Sequence, residues 1–361
     1  MTTRTISVGN VLIGGNNPVS VQSMTNTPTE DIYSTLKQIN SLYSAGCEIV
    51  RLAVPNRKCL IPLEQIIKES PVPLIADIHF DYRLAIGAVK AGISGIRINP
   101  GNIGGKEKVK ELAETAGEFN IPIRVGANAG SLPEDLKQIY YSPSASAEVK
   151  ADALIKAVLR QCSLLESFNF HNIKVSLKSS SVPVTVKAYR MFSKTSSYPL
   201  HLGITEAGSP EKGIIKSAVG IGALLLDGIG DTVRVSLTAP PEEEVTAAIN
   251  ILEAAGLRKV YPEIISCPTC GRTEFDLISL CSTVEKLVAD LKKEKGRLKI
   301  KKIAVMGCVV NGPGEASDAE IGLAGSKNGK LSLFIKGSPI GVFEFDKAIE
   351  LFKEYLLKDS F

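Results

Sequence analysis

Two stretches near the C-terminal end carry thiols at spacings that suit metal or redox chemistry. CPTCGR, residues 267–272, sets Cys267 and Cys270 with two residues between them, and GCVVNGPGEA, residues 307–316, sets Cys308 seven positions before Glu315 across an Asn-Gly-Pro-Gly turn. CPTCGR follows a short strand and reads as the opening of a helix, whose positive end favours thiolate. Three chemistries use such a pair. A thioredoxin-type dithiol needs nothing more, but the redox fold that usually carries it is absent from the pattern of elements. A structural zinc ribbon needs a second paired knuckle, and the chain has none. An iron–sulfur cluster takes a CxxC and a distant third cysteine, with the fourth position open to variation. Cys308 suits the third place because it ends a β run and enters a turn, where backbone amides can point at sulfur. Cys281 is the competing third thiol, but it lies on the apolar face formed by Leu277, Leu280, Val284, Leu287, Val288 and Leu291, and reads as core. Cys47, Cys59 and Cys162 have no partner spacing and read as structural thiols.

A second group of residues is chemical because of where it sits. Arg51 lies within IVRLAV, Arg97 and Asn99 within GIRINPG, Arg124 and Asn128 within IRVGAN, Lys174, Ser176 and Lys178 within IKVSLK, and Arg234 and Ser236 within TVRVSL. An unpaired buried charge costs several kcal/mol by order of magnitude, so cations repeated in β-branched runs need a reason. The side-chain period of two puts Arg97 with Asn99, Arg124 with Asn128, Arg234 with Ser236, and Asp77 with His79 on common faces. Several cations converging on one cavity suit a phosphate or diphosphate. Glu206 in HLGITEAG is a carboxylate in that positive field, placed to act as a general acid or as the counterion of an arginine. His171 and His201 read as structural, and His79 is left open between the two.

These side chains require a scaffold that aims them inward. Eight candidate strands, beginning PVSVQSM (18–24), EIVRLAV (48–54), PLIADIH (73–79) and GIRINPG (95–101), continue with PIRVGAN (122–128), NIKVSLK (172–178), HLGITEA (201–207) and DTVRVSL (231–237). Helical stretches separate them. In TNTPTEDIYSTLKQINSLYSAG, Thr27 and Glu30 suit a capping box, Pro28 a first turn and Gly46 a C-terminal cap. Strands spaced by crossover helices pair in parallel, and eight of them most simply close into a (β/α)8 TIM barrel, with an open doubly wound sheet as the alternative. The expected α/β organisation is a barrel over 1–258 for substrate and a smaller α+β domain over 259–361 for the cluster. The second contains the strands EIIS and KIAVMGC, a hairpin IGLAGSKNGKLSLFIKG and a final helix, DKAIELFKEYLLK.

Composition excludes other classes. The 361 residues are 44% hydrophobic and 22% charged, with net charge +4, 6% aromatics and no Trp, which fits a globular protein for small anions better than one for nucleic acid. The longest uncharged apolar run, SAVGIGALLL, is about half of the roughly 20 residues a membrane span needs, and MTTRTISVGN has no apolar signal core. A cytoplasmic protein is expected. Seven cysteines, an odd number, argue against a disulfide framework.

VQSMTNTPTED, ADIHFD, GIRINPGNIG, HLGITEAG, GIGDTVRVSL, CPTCGR and GCVVNGPGEA follow one another in this order. With them the chain closely resembles, nearly end to end, the 4-hydroxy-3-methylbut-2-enyl diphosphate synthase family of the non-mevalonate (MEP) isoprenoid pathway, in its short bacterial form. The resemblance implies reductive ring opening and dehydration of 2-C-methyl-D-erythritol 2,4-cyclodiphosphate, with electrons from ferredoxin or flavodoxin. It implies a [4Fe–4S] cluster on Cys267, Cys270, Cys308 and Glu315, and a diphosphate site of Arg51, Arg97, Arg124, Lys178 and Arg234 supported by Asn99, Asn128 and Ser236. Asp77 falls in a motif lining that site, Glu206 matches the proton donor, and Lys174 matches no assigned role. A head-to-tail homodimer is implied too. A charged pocket capped by a mobile domain also predicts open and closed forms, with a hinge near Tyr261 and Pro262. Two other readings stay open: a zinc- or iron-binding sensor built on a barrel, and a barrel lyase acting on a phosphorylated substrate.

Overall fold

In the computed structural model, which describes residues 2–98, 103–259, 262–273, 275–295, 298–308 and 318–358, the chain divides into two compact units, Met1–Arg258 and Lys259–Phe361. The first opens on a hairpin that the strand pattern above does not include. β1 (Ile6–Val8) and β2 (Val11–Ile13) pair antiparallel across a turn in which Gly9 takes a φ of 57°. Its Ile6, Val8 and Ile13 form a cluster with Ile49 and Ile75.

All eight expected strands follow, several of them shorter than their apolar runs. They are β3 (Ser20–Met24), β4 (Ile49–Ala53), β5 (Leu74–Asp77), β6 (Gly95–Ile98), β7 (Ile123–Asn128), β8 (Ile173–Lys178), β9 (His201–Leu202) and β10 (Thr232–Val233). Every pairing among them is parallel, in the order β8-β7-β6-β5-β4-β3-β10-β9, a nearly closed barrel. Period two puts Ile49 on the face of Arg51 and Ile75 on that of Asp77, so the β1–β2 hairpin packs against the N-terminal ends of inward-facing rows.

The two end strands of the sheet meet at a single bridge, Val175 to Leu200. Tyr189 supports the junction from the helix Val182–Phe192: its Oη accepts from the Leu177 N–H at 3.0 Å and donates to the His201 carbonyl at 2.6 Å. Gly203, just past β9, permits the close approach of the neighbouring strands. A Cβ there would stand 2.5 Å from Lys178 Nζ and 2.6 Å from the Arg234 carbonyl.

The first helix begins later than its Thr27–Glu30 signal suggests. It spans Ile32–Ser44 and is capped by Asp31, whose carboxylate accepts from the Ser34 N–H. Thr27 instead meets the Thr35 hydroxyl, and Glu30 accepts from Asn56. A nearer aspartate out-competes the threonine because an N-cap side chain reaches only the next turn. Gly46 does lie just past the end, with φ 97°.

The second unit is a five-stranded sheet in the order β11 (Glu263–Ser266), β12 (Lys302–Met306), β13 (Ile321–Ser326), β14 (Lys330–Ile335) and β15 (Ser338–Phe343). The first three are parallel and the last two antiparallel; β15 extends the expected hairpin by a strand. Leu277, Leu280, Val284, Val288 and Leu291 of the helix Leu277–Lys295 bury against the sheet with Phe352 of the helix Phe345–Leu357. Each such aliphatic chain contributes about 1.5–3 kcal/mol of burial.

Candidate active site

The inward rows of the barrel end in a cavity of about 100 Å³ lined by Arg51, Arg97, Arg124, Lys178 and Arg234, together with Asn128, Ser176, Thr205 and Ser236. The strand ladder explains the convergence. Asp77, Arg97, Arg124 and Lys174 are register partners across β5 to β8, and four residues further along Asn128 is opposite Lys178. The four arginines are held from behind. Asp77 takes Arg97 Nη1 at 2.9 Å and Arg51 Nε at 3.4 Å. Arg51 also points Nη2 at Met24 Sδ, 3.0 Å away, and Arg124 Nη1 donates to Ser176 Oγ at 2.7 Å. Arg234 lies 3.5 Å from Glu244 in the helix Pro241–Ala254, and Glu244 accepts the Leu237 N–H as well.

Cations outnumber carboxylates here, and their titration shows it. Burial pushes Arg51 down to about 9, with Arg234 and Arg97 adding to the effect against Asp77. Burial and then Arg124 drive Lys178 well below the usual lysine range. Burial alone would raise the Asp77 carboxyl, but Arg51, the His79 hydrogen bond and Arg97 outweigh it and hold it well below the usual carboxylate range. A buried field of this sign is neutralised by a multiply charged anion, and arginine forks suit phosphoryl oxygens. A larger groove of about 760 Å³ lies between the helices Pro210–Leu226 and Pro241–Ala254, but its lining is apolar with Glu242 and Glu243 and offers an anion no cation.

Most of the residues singled out in the sequence are thus brought together. Asn99 lies outside the described residues. His79 is half-exposed, with Nε2 2.8 Å from Arg97 Nη1 and 3.5 Å from Asp77. His201 is buried against Thr232, as a structural histidine would be. Glu206 is exposed in the loop after β9, next to the cavity residue Thr205, and its φ is 54°, a left-handed conformation that a non-glycine residue seldom takes. Three contributors were not anticipated: Met24, Thr205 and Glu244.

In the second unit β11 and β12 run parallel with Ser266 opposite Val305, so Cys267 and the Gly307–Cys308 pair leave the same edge of the sheet. The Gly307 N–H donates to Cys267 Sγ at 3.2 Å. Cys308 is buried and Cys267 half-buried, while Cys270 is exposed, its thiol lowered by hydrogen bonds from the Arg272 backbone and side chain. Contrary to the sequence expectation, the CxxC does not open a helix; it follows β11 in irregular backbone ahead of a turn at Gly271–Arg272, and the helix starts at Leu277. Cys281 is half-buried against the helix–sheet core, in a cavity it shares with Cys267. An amide aimed at sulfur, a thiol biased toward thiolate and a third cysteine off the adjacent strand suit three ligands of an iron–sulfur cluster. Among the described residues no three His, Cys, Asp or Glu groups are already at ion-binding spacing, and Glu315 lies outside them.

Comparison with known proteins decides the family. Residues 3–249 match the GcpE TIM-barrel domain and residues 263–358 the GcpE protein C-terminal domain. The chain belongs to the GcpE family. A GcpE-family relative from Lawsonia intracellularis (strain PHE/MN1-00), named 4-hydroxy-3-methylbut-2-en-1-yl diphosphate synthase (flavodoxin), is 53% identical over 357 residues, covering 99% of this chain and 96% of the relative. Another of the same name, from Clostridium perfringens (strain 13 / Type A), is 50% identical and covers 97% of each chain. As a member of this family the chain is an oxidoreductase. Among solved structures, the Yersinia pestis dihydropteroate synthase aligns with TM-score 0.51 at 11% identity, covering 70% of this chain and 97% of that one, a likeness of fold alone. No helix among the described residues is long and apolar enough to cross a membrane.

Proposed function

We propose that this GcpE-family enzyme opens and dehydrates 2-C-methyl-D-erythritol 2,4-cyclodiphosphate to (E)-4-hydroxy-3-methylbut-2-enyl diphosphate, with two electrons from flavodoxin or ferredoxin. The observation that carries the reading is the barrel cavity in which Arg51, Arg97, Arg124, Lys178 and Arg234 converge, in a chain whose relatives are named for a diphosphate product and for flavodoxin. Arg51 and Arg97 are held by Asp77, and Arg234 faces Glu244, so the forks that would receive the diphosphate are in place before it arrives. Asn128 and Ser236 add neutral donors, as does Asn99 by resemblance. The small, largely buried cavity keeps water from screening those charges.

Cys267, Cys270 and Cys308 would hold three irons of a [4Fe–4S] cluster and Glu315 the fourth. When bound, the cluster supplies the electrons and, at the iron held by the harder and weaker carboxylate, a Lewis acid open to a substrate oxygen. Glu206, at the rim beside Thr205, gives a proton to the oxygen that leaves as water. We place the enzyme in the cytoplasm as a head-to-tail homodimer, which the family resemblance supports; an active monomer in sedimentation at assay concentration would remove the dimer.

The decisive experiment is anaerobic turnover of the cyclodiphosphate by the reconstituted full chain with reduced flavodoxin. The diphosphate product should form only with the electron donor present. Turnover without a donor would instead identify a lyase, and a colourless protein with stoichiometric zinc a sensor.

A further inference from the structure

β8 turns three side chains to the barrel interior: Lys174, Ser176 and Lys178. Ser176 and Lys178 line the anion cavity, and Lys174 lies one step deeper, opposite Arg124 in the ladder. Its side chain is 2% exposed, and Nζ has no hydrogen-bond partner among the described residues. A fully buried lysine without a partner is an uncommon arrangement, and the catalytic reading of the site makes no use of it.

The groups around it explain why it is poised. β3 presents only the uncharged Ser20 and Gln22, and β9 the neutral-favouring ring of His201, which burial and then Lys178 push well below the usual histidine range. Arg51, Arg97 and Arg124 bring positive charge from β4, β6 and β7, and Lys178 and Arg234 bring more from β8 and the end of β10. Among the described residues two carboxylates answer them from the strands or their leading edges, and Glu244 answers Arg234 from the helix Pro241–Ala254. Asp77 on β5 is already shared by Arg51 and Arg97, and Asp231, ahead of β10, accepts from Thr3 Oγ1 and the Leu200 N–H. Burial first, and Arg124 next, push the Lys174 ammonium down to about 7, with Asp231 pulling the other way.

We propose that Lys174 is a reserve cation, which takes up a proton when a diphosphate fills the cavity above it and so couples anion binding to proton uptake. This rests on the reading of the cavity as a diphosphate site. An anion carrying two or more charges reverses the sign of the field at Nζ, and Coulomb attraction across a buried gap favours the ammonium form. The proton comes from solvent: an N–H bond forms at Nζ as an O–H bond of hydronium breaks, and no other bond changes. Binding then draws a proton wherever the pH lies above the free value and below the bound one. Over that window the affinity falls by up to about tenfold per pH unit for one linked proton. Lys178, which lines the cavity itself, contributes with the same sign, so the quantity that isolates Lys174 is a difference between two proteins.

The test is titration calorimetry of the full chain with inorganic pyrophosphate at pH 8, in buffers of different ionisation enthalpy, on the wild type and Lys174→Met. The protonation of pyrophosphate itself is common to both. The wild type should take up more protons than Lys174→Met, by as much as about one, and its affinity should fall more steeply between pH 7 and pH 8.5. Equal uptake by the two proteins, with binding retained, overturns the inference while leaving the diphosphate site intact. Should Lys174→Met fail to fold, Lys174→Arg takes its place: a permanent charge should remove the extra uptake and keep tight binding at pH 8.5, and undiminished uptake would overturn the proposal. If the wild type does not bind pyrophosphate, the diphosphate reading falls and this inference falls with it.

Discussion

At Glu206 backbone comfort and chemistry oppose each other. Its φ of 54° costs a residue with a Cβ roughly 1–2 kcal/mol relative to glycine, and the position is exposed, so no packing explains the choice. The proton-donor role proposed for it at the cavity rim would explain it. Glu206→Gln keeps the shape and removes the acid, and should leave pyrophosphate affinity within about twofold while turnover drops by about 10²–10⁴-fold. Glu206→Gly should lose the same activity yet unfold at equal or higher urea, the relief of strain offsetting the extra freedom of the unfolded chain. Persistent turnover in Glu206→Gln at unchanged cluster content would remove this acid from the mechanism. The cations were legible in the sequence for a simple reason: an arginine inside IVRLAV or TVRVSL contradicts its surroundings. Glu244 was not, because an acidic residue in the first turn of PPEEEVTAA is what any helix N-terminus favours. Met24 carries no such contradiction, and only the fold shows its sulfur facing Arg51.

Among the elements, the β8–β9 junction is where the barrel is least supported by its own ladder. One bridge, the Tyr189 hydroxyl and, past the strand ends, the Thr205 N–H to the Ser179 carbonyl span it, and burial keeps that phenol protonated, able to donate to His201 while accepting from Leu177. Tyr189→Phe strands a buried N–H and a buried carbonyl, each costing about 1–3 kcal/mol. The variant should therefore lose about 2–4 kcal/mol in urea unfolding, and pyrophosphate binding should weaken too, since Lys178 is the next residue after Leu177. A loss below about 0.5 kcal/mol would show that the seam holds without the hydroxyl. The eight barrel strands could be read because each is a β-branched run between turn residues. The β1–β2 hairpin could not: three-residue strands around Gly9–Asn10 are too short to display a period. β15, SPIGVF, has a proline at its second position and a glycine at its fourth, which demote a strand by propensity, but an edge position tolerates both.

For the whole molecule, the crowding of buried cations gives the ligand-free barrel a stability that depends on pH in a stated direction. Lys174 is held down to about 7 and Lys178 well below its ordinary range, whereas both return to about 10.4 in an unfolded chain. Between pH 7 and that value the unfolded state binds more protons, so raising the pH stabilises the fold. His201, also depressed, acts in the same sense at lower pH, its penalty vanishing as the pH rises through the ordinary histidine value. Buried thiols set the upper limit. Cys47 and Cys162 are pushed up to about 12 by burial, so above about pH 8.5 the unfolded chain sheds protons that the folded one keeps, and stability turns down. In the window from pH 7 to 8.5 the lysines contribute up to about 1.4 kcal/mol per pH unit each, and the depressed Arg51 and Arg124 add in the same sense. Urea titration of the barrel transition in the full chain should therefore show stability rising by about 2 kcal/mol or more over that window. Saturating pyrophosphate should abolish the rise, because the occupied site keeps its lysines charged in the folded state as they are in the unfolded one. A ligand-free barrel whose stability is flat or falling from pH 7 to 8.5 would mean that the interior cations are compensated in the empty protein, and that the cavity has no standing need for an anion.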